Sequence, residues 1–345
     1  LAVLGLTLAG CGASVESAGT SALSVVGPGV INDPSNKSLR FDILKFGLDR
    51  FCEEMMRRGV ALKLTDDGIV SGRFFADSCQ SQSLSDWDRK SIVVQFQGLG
   101  YTWTNLSGRL GFRAAGLVEY APDFQLQDGS MYIYFRPQRV DAISFETLLV
   151  ESAIAQGGMA LTGFDPNRAG NDIVTAQLRR GFTVIRQDSS GAMDFGLGYV
   201  PRGKHPFRPF TVDSSKPSLA NDRTVVHVGQ QDLIGGLVVN EDGAKLQLNL
   251  LMQGTPAIDV QLIPKSFGDV WLRSLATVAG PSQPTGLPIL SEVLQAGQPW
   301  QRLVAVPKGV YYLVLDHSGL PPTMPPQGQD LPARVDYAVQ LISDN

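Results

Sequence analysis

Cysteine, histidine and clustered carboxylates are the side chains most able to do chemistry, and this 345-residue chain carries only three Cys and three His. Cys11 closes an apolar run, Cys52 stands among apolar residues, and Cys79 sits in the polar stretch Asp77-Ser78-Cys79-Gln80-Ser81. A Cys52–Cys79 bridge would close a loop of about 28 residues and contribute roughly 3 kcal/mol in the chain-entropy model. The alternative is a buried free Cys52 and an exposed Cys79. Neither has a His near it in sequence, so a thiolate nucleophile is not supported. His205, His227 and His317 form no H-x-x-x-H pair and no C-x-x-C occurs, so no local zinc motif is present. Asp316-His317-Ser318 has the residue types of a hydrolytic triad, but neighbours on a strand point to opposite faces, and the three read as a strand end entering a turn. The run from Asp165 to Asp172 is spaced like a calcium loop, yet Ala169 and Ala176 occupy ligand positions. Pro166 after Asp165 fits a helix N-cap better. Glycine motifs for phosphate, dinucleotide or a nucleophile elbow are missing. No catalytic residue, no metal and no cofactor is therefore expected.

The apolar run Leu1–Leu8 has the length of a signal-peptide core and is too short to span a bilayer. It ends in Leu8-Ala9-Gly10-Cys11, which resembles the lipobox of bacterial lipoproteins. The resemblance implies cleavage before Cys11, a diacylglycerol thioether on its sulfur and an N-acyl group such as palmitate, together a stable membrane anchor. Gly12 rather than Asp after the cysteine resembles the outer-membrane sorting signal. Leu1 is not Met and no basic region precedes the run, so a further upstream segment is expected. Residues 11–36, rich in Gly, Ser, Ala and Val, read as a lipidated flexible tether after the remnant signal peptide 1–10.

Composition narrows the partners. The net charge is −4, and nothing resembles the basic footprint of a nucleic-acid binder. No apolar stretch of transmembrane length follows the N-terminus. The basic loop Arg202-Gly203-Lys204-His205-Pro206-Phe207-Arg208 offers Arg202, Lys204 and Arg208 for contact with anionic lipid or an acidic patch. Its bland alternative is a solvated loop.

The length suggests two domains. Residues 37–210 read as an α+β domain, an N-terminal antiparallel sheet packed with a long helix over Ser38–Arg58, whose Leu44, Leu48, Phe51, Cys52 and Met55 recur at helical spacing. Strands are expected near Val60–Leu64, Ile69–Phe75, Ser91–Leu99, Leu106–Tyr120, Met131–Phe135, Phe182–Arg186 and Met193–Val200. Helices are expected over Ile143–Gln156 and from Pro166 to Arg180, with Gly181 as stop. After a Pro-rich linker, residues 222–345 read as a β-sandwich domain of about seven strands, with one or two helical turns at Ile289–Leu294. The segment PKGVYYLVLDHSG with VDYAVQLI resembles the terminal strands of prepeptidase C-terminal-type sandwiches, which implies an accessory binding module.

The leading expectation is thus a β-rich α+β envelope lipoprotein, a non-enzymatic binding or assembly module with an envelope protein partner. The alternatives are a carrier of lipid or another hydrophobic ligand in a cavity beneath the first helix, and a polysaccharide or peptide hydrolase. The hydrolase would need two of Glu119, Asp123, Asp128 and Asp141 about 5–10 Å apart.

Overall fold

The structure, a computed structural model, describes residues 32–33, 35–48, 52, 55–56, 59–63, 67–85, 90–104, 108–152, 165–187, 193–213, 215–283, 285–320 and 331–343. Cys11 and the proposed tether lie outside them.

The first region is built on one antiparallel meander. Strands β1 (Val60–Leu62), β2 (Gly72–Ser85), β3 (Lys90–Thr104), β4 (Gly108–Gln127), β5 (Ser130–Val150), β6 (Phe182–Gln187) and β7 (Met193–Leu197) pair in sequence order. On β4, Leu110, Phe112, Ala114, Val118 and Tyr120 are buried, while Arg113 between them is exposed, the period of two that half-buried strands require. Asp128 and Gly129, both at positive φ, make the tight β4–β5 turn.

Helix α1 (Lys37–Leu48) lays Phe41 and Leu44 on this sheet against Phe74, Phe96 and Phe112. Helix α2 (Pro166–Arg180) is capped by Asp165, whose carboxylate accepts from the Asn167 amide at 2.9 Å, and it stops at Gly181 with φ 66°. Beyond Tyr120 strand β4 outruns β3, and its open edge is held by side chains. The Arg40 guanidinium pairs with Asp123 and donates to the Phe124 carbonyl. The Asn32 amide both donates to the Leu126 carbonyl (3.1 Å) and accepts from its N–H (2.8 Å), standing in for a neighbouring strand.

The second region packs two antiparallel sheets about one core. Its elements are β8 (Ser218–Val226), β9 (Gln231–Val239), β10 (Lys245–Gln253), β11 (Ala257–Pro264), α3 (Lys265–Thr277), β12 (Leu290–Gln295), β13 (Trp300–Ala305), β14 (Gly309–Asp316) and β15 (Ala333–Ile342). One sheet has the order β13-β10-β15-β8, the other β12-β11-β14-β9. Leu246, Leu248, Leu250 and Met252 of β10 point inward and meet Ile258, Val260, Leu262, Leu313 and Leu315 of the facing sheet. Four inward residues in alternation leave the polar Gln247 and Asn249 on the other face.

The two regions share a core of their own. Phe75 and Tyr101 of the meander pack with Leu233, Ile263, Trp271, Leu275 and Tyr312. Helix α3 approaches β4 so closely that a methyl on Gly111 would overlap the Ala276 carbonyl. The backbone joins them as well. Val70 donates to the Arg223 carbonyl and bridges Thr224 at the edge of β8, and Gly59 donates to the Gly235 carbonyl at the edge of β9.

Three expectations are corrected. The chain is mostly β, and among the described residues no long helix packs on the N-terminal sheet: α1 is a 12-residue helix, Lys37–Leu48. Cys52 and Met55 beyond it are also helical, but the long paired strands of the meander, not one helix face, organise this region. The helix expected over Ile143–Gln156 is strand as far as Val150, because Ile143-Ser144-Phe145-Glu146-Thr147 lies along β4 with Phe145 opposite Ala114. Those residues alternate and are rich in β-formers, and a long partner strand decides the ambiguity. Residues 153–156 lie outside the described residues. Ile289–Leu294 forms β12 rather than helical turns, since Leu290–Gln295 completes the edge of the β11 sheet.

Cys52 and Cys79 form a disulfide, with Cα atoms 5.2 Å apart and a sequence separation of 27. It ties the segment after α1 to the middle of β2. A Cys52→Ala/Cys79→Ala chain is expected to lose about 3 kcal/mol of stability. Urea unfolding should show this as a lower midpoint, and reductant should shift the wild type but not the variant.

Candidate functional site

The seam between the regions holds a buried polar network. Arg73 on β2 and Tyr101 on β3 are direct cross-strand partners, and both face away from α1 toward the second region. Arg73 donates from Nε to Asp232 Oδ1 and from Nη2 to Oδ2, each at 2.7 Å, a bidentate pair. Tyr101 donates its hydroxyl to Oδ1 at 2.7 Å, Thr224 donates to Oδ2 at 2.9 Å, and Arg73 reaches the Tyr337 hydroxyl at 3.3 Å. The Leu233 N–H closes the circuit on Tyr101 at 2.8 Å. Arg73 and Asp232 are 3% and 5% exposed, so their charges balance only each other and these dipoles. Burial pushes the Asp232 carboxyl upward, but the Arg73 charge and the three side-chain donors outweigh it and hold it below the usual range. Burial and the Asp232 charge together push the Tyr101 phenol well above its ordinary value, which keeps it a donor.

Further along the seam, Arg109 donates to the Val278 and Gly280 carbonyls at 2.8 Å each and pairs with Glu151 at 3.1 Å. Glu151 also accepts from the Gly280 N–H and from Gln230. The end of α3 is thereby clamped to the meander. Gln231 bridges the Trp271 indole and the Asp316 carboxylate.

An open cleft of about 550 Å³ lies at the surface of this seam. Ile69, Trp103, His227, Gln253, Leu331 and Arg334 line it. Trp103 at the end of β3 stacks on His227, just past β8, with ring centroids 3.3 Å apart and planes 11° off parallel. Ile69 and Leu331 are exposed, and the Arg334 side chain is open to solvent. Burial, then the neighbouring His317, lowers the His227 pKa. His317 is pushed down by its own burial, against the opposing effects of the Val226 carbonyl and Asp316. The cleft is therefore aromatic, apolar and cationic at neutral pH. Among the described residues that line it, no carboxylate or hydroxyl lies beside an activating base.

The sequence-predicted residues fall elsewhere. Arg202 and Lys204 are exposed on a loop, whereas Arg208 is drawn into an ion pair with Asp194, with His205 4.0 Å from the same carboxylate. Asp316, His317 and Ser318 do not converge as a triad. The Asp316 carboxylate takes Gln231 and the Ser318 N–H, while His317 Nδ1 faces the Val226 carbonyl at 3.2 Å. Glu119 accepts from Ser91, Asp123 is bound by Arg40, Asp141 by Arg139, and Asp128 occupies the β4–β5 turn. Among the described residues no group of three or more His, Cys, Asp or Glu could hold a metal, and no helix is long and apolar enough to cross a membrane. Sequence reasoning missed Arg73, Asp232 and Arg334. The available signal was a lone Arg before Phe74-Phe75 and a lone Asp before Leu233-Ile234, charges inside strands otherwise bound for a core.

No protein-family model matches the chain, and no curated protein matches it.

Asp232→Ala leaves the Arg73 charge buried alone and is expected to cost about 3–5 kcal/mol, while Arg73→Met/Asp232→Leu should cost far less. Chemical denaturation of the three proteins distinguishes these outcomes. The two depressed histidines favour the neutral form in the fold, so their contribution is complete above the ordinary value near pH 6.5 and is lost as pH falls toward their folded values. Stability measured between about pH 7 and 5 should therefore decline, and less steeply in His317→Asn.

Proposed function

We propose that the chain is a lipid-anchored bacterial envelope lipoprotein, held to the outer membrane through Cys11, that works as a non-enzymatic binding or assembly module. Its partner sits in the seam cleft. The observation that carries the binding part is the pairing of a seam held by buried hydrogen bonds with an open aromatic and cationic cleft at its mouth. Rigid walls cut the ordering cost of association, and exposed apolar side chains beside an Arg are typical anchors. The membrane part rests on the lipobox-like residues Leu8-Ala9-Gly10-Cys11.

The carrier alternative finds less support. The face beneath α1 is filled by ring contacts, among them Phe74–Phe96 at 5.8 Å, Phe74–Phe112 at 6.4 Å and Phe112–Phe145 at 4.8 Å. The hydrolase alternative meets carboxylates already occupied by Arg40, Arg139 and Ser91.

Two measurements test the proposal. Intact mass of protein from a lipoprotein-competent host should equal the chain from Cys11 plus acyl groups, and the increment should vanish in Cys11→Ala. An unmodified wild type that retains residues 1–10 would remove the anchor. Partners recovered by cross-linking in the native envelope should bind Trp103→Ala and Arg334→Glu at least about tenfold more weakly. Unchanged binding in both would place the partner elsewhere.

A further inference from the structure

The tip of the β4–β5 hairpin brings together two features that are remote in sequence. The first is the N-terminal end of the described residues: Asn32 clasps both backbone groups of Leu126, next to the last residue of β4. The second is the basic loop. Pro201-Arg202-Gly203-Lys204 is a β-turn, with the Lys204 N–H on the Pro201 carbonyl (3.0 Å) and Gly203 at φ 72°, as a type II turn demands. Gly203 donates to the Tyr132 hydroxyl at 3.0 Å and lies against the Gln127 side chain, one residue from Leu126. The turn is thus seated at the same tip, and Arg202 and Lys204 both project into solvent.

More of the same chemistry surrounds it. Tyr199 stacks on Tyr134 with centroids 4.7 Å apart yet remains 56% exposed. The exposed Arg136 lies over both rings, at 5.8 Å from Tyr199 and 6.0 Å from Tyr134. Among the described residues no carboxylate is within ion-pair distance of Arg136, Arg202 or Lys204. Among the described residues the acids of this end include Asp194, already paired with Arg208, Asp123, paired with Arg40, the exposed Asp128 in the hairpin turn, and Asp33, which is turned onto the Ser35 N–H.

We infer that this tip is the membrane-facing surface of the molecule and that Arg136, Arg202, Lys204 and Tyr199 dock on anionic phospholipid headgroups. An exposed aromatic beside free cations suits the headgroup layer, where one end of the ring is apolar and the other wet. The location supplies the occupant. Only residues 12–31 separate Cys11 from Asn32 in sequence. A lipid on Cys11 would hold this tip, before any other surface, at the bilayer, where weak contacts act at high effective concentration. The choice of a bilayer as partner rests on the lipid-anchor reading, while the headgroup contact itself is tested without the lipid.

The full chain carrying Cys11→Ala, and the same chain with Arg202→Ala/Lys204→Ala or Tyr199→Ala added, would be titrated with two kinds of vesicle. One is pure phosphatidylcholine, the other contains roughly one-third phosphatidylglycerol. Binding should favour the anionic vesicles, weaken about fivefold for each charge removed and so roughly 25-fold in the double variant, and fall with salt. Tyr199→Ala should weaken binding to the same vesicles while leaving its salt dependence as it was. Equal affinity for both vesicles, or a double variant that binds like its parent, would overturn the inference and leave the cluster to an acidic protein patch. Acylation found by mass without charge-dependent binding sinks this inference alone, and charge-dependent binding without acylation sinks the anchor alone.

Discussion

Taking a guanidinium and a carboxylate out of water costs several kcal/mol for each ion, and Arg73 and Asp232 meet that cost only together. Neither belongs to a region that could satisfy it alone. Arg73 is carried by the meander and Asp232 by the sandwich, so each region on its own exposes a charge embedded in apolar surface. The remaining seam follows from this requirement. Tyr101 occupies the position opposite Arg73 because a second donor is needed for the carboxylate, and its raised pKa keeps its proton in place. Thr224 and Tyr337 fill the last sites around the pair. The aromatic and aliphatic side chains of α3 exclude water, which makes the pair strong and makes its loss severe. A polar network of this kind fixes one relative placement of two surfaces, where apolar packing alone would tolerate several.

That placement also sets the two surfaces on which function is proposed. The cleft exists because Ile69 and Trp103 from the meander are held against His227, Gln253 and Arg334 from the sandwich. The basic turn lies at the opposite kind of site, a hairpin tip built wholly from the first region. One surface is concave, partly apolar and shared, while the other is convex, cationic and local.

Much of the second region was legible in the sequence, because β10 and β15 alternate cleanly and each strand is bounded by turn residues. The pattern marks Lys245–Met252 and Arg334–Leu341, and the strands run over Lys245–Gln253 and Ala333–Ile342. Helix α3 was not read at all. It begins directly after β11 with Pro264 as its boundary and no side-chain cap, so the usual start signal is missing. Its buried residues Trp271, Leu272, Leu275 and Ala276 do recur at spacings of three and four, which was the one available sign. In the first region local pattern misled. Apolar residues at helical spacing after Leu44 suggested a long helix, and the Ile143 segment suggested another, yet strands of 20 and 21 residues govern the fold. Strand pairing is non-local, and a period read from one segment does not reveal the partner that claims it. The site residues were hidden for the same reason: Arg73 and Asp232 are 159 positions apart, and each looks like an anomaly until the other is placed beside it.

The capping of the sandwich edges by Val70 and Gly59 bears on the order in which the chain acquires its shape. A polypeptide emerges from its N-terminus, and domains generally condense as they appear. The meander can close its own hairpins and its disulfide early, because those contacts join neighbours in sequence. It must then wait, with an unanswered cation on one face, until the strands bearing Thr224 and Asp232 arrive. The edges of β8 and β9 face the reverse hazard, since a sandwich born beside a meander that has not formed would offer open hydrogen-bonding strands to any passing chain. The vulnerable moment in this order of folding is therefore the interval between closing the meander and docking the sandwich.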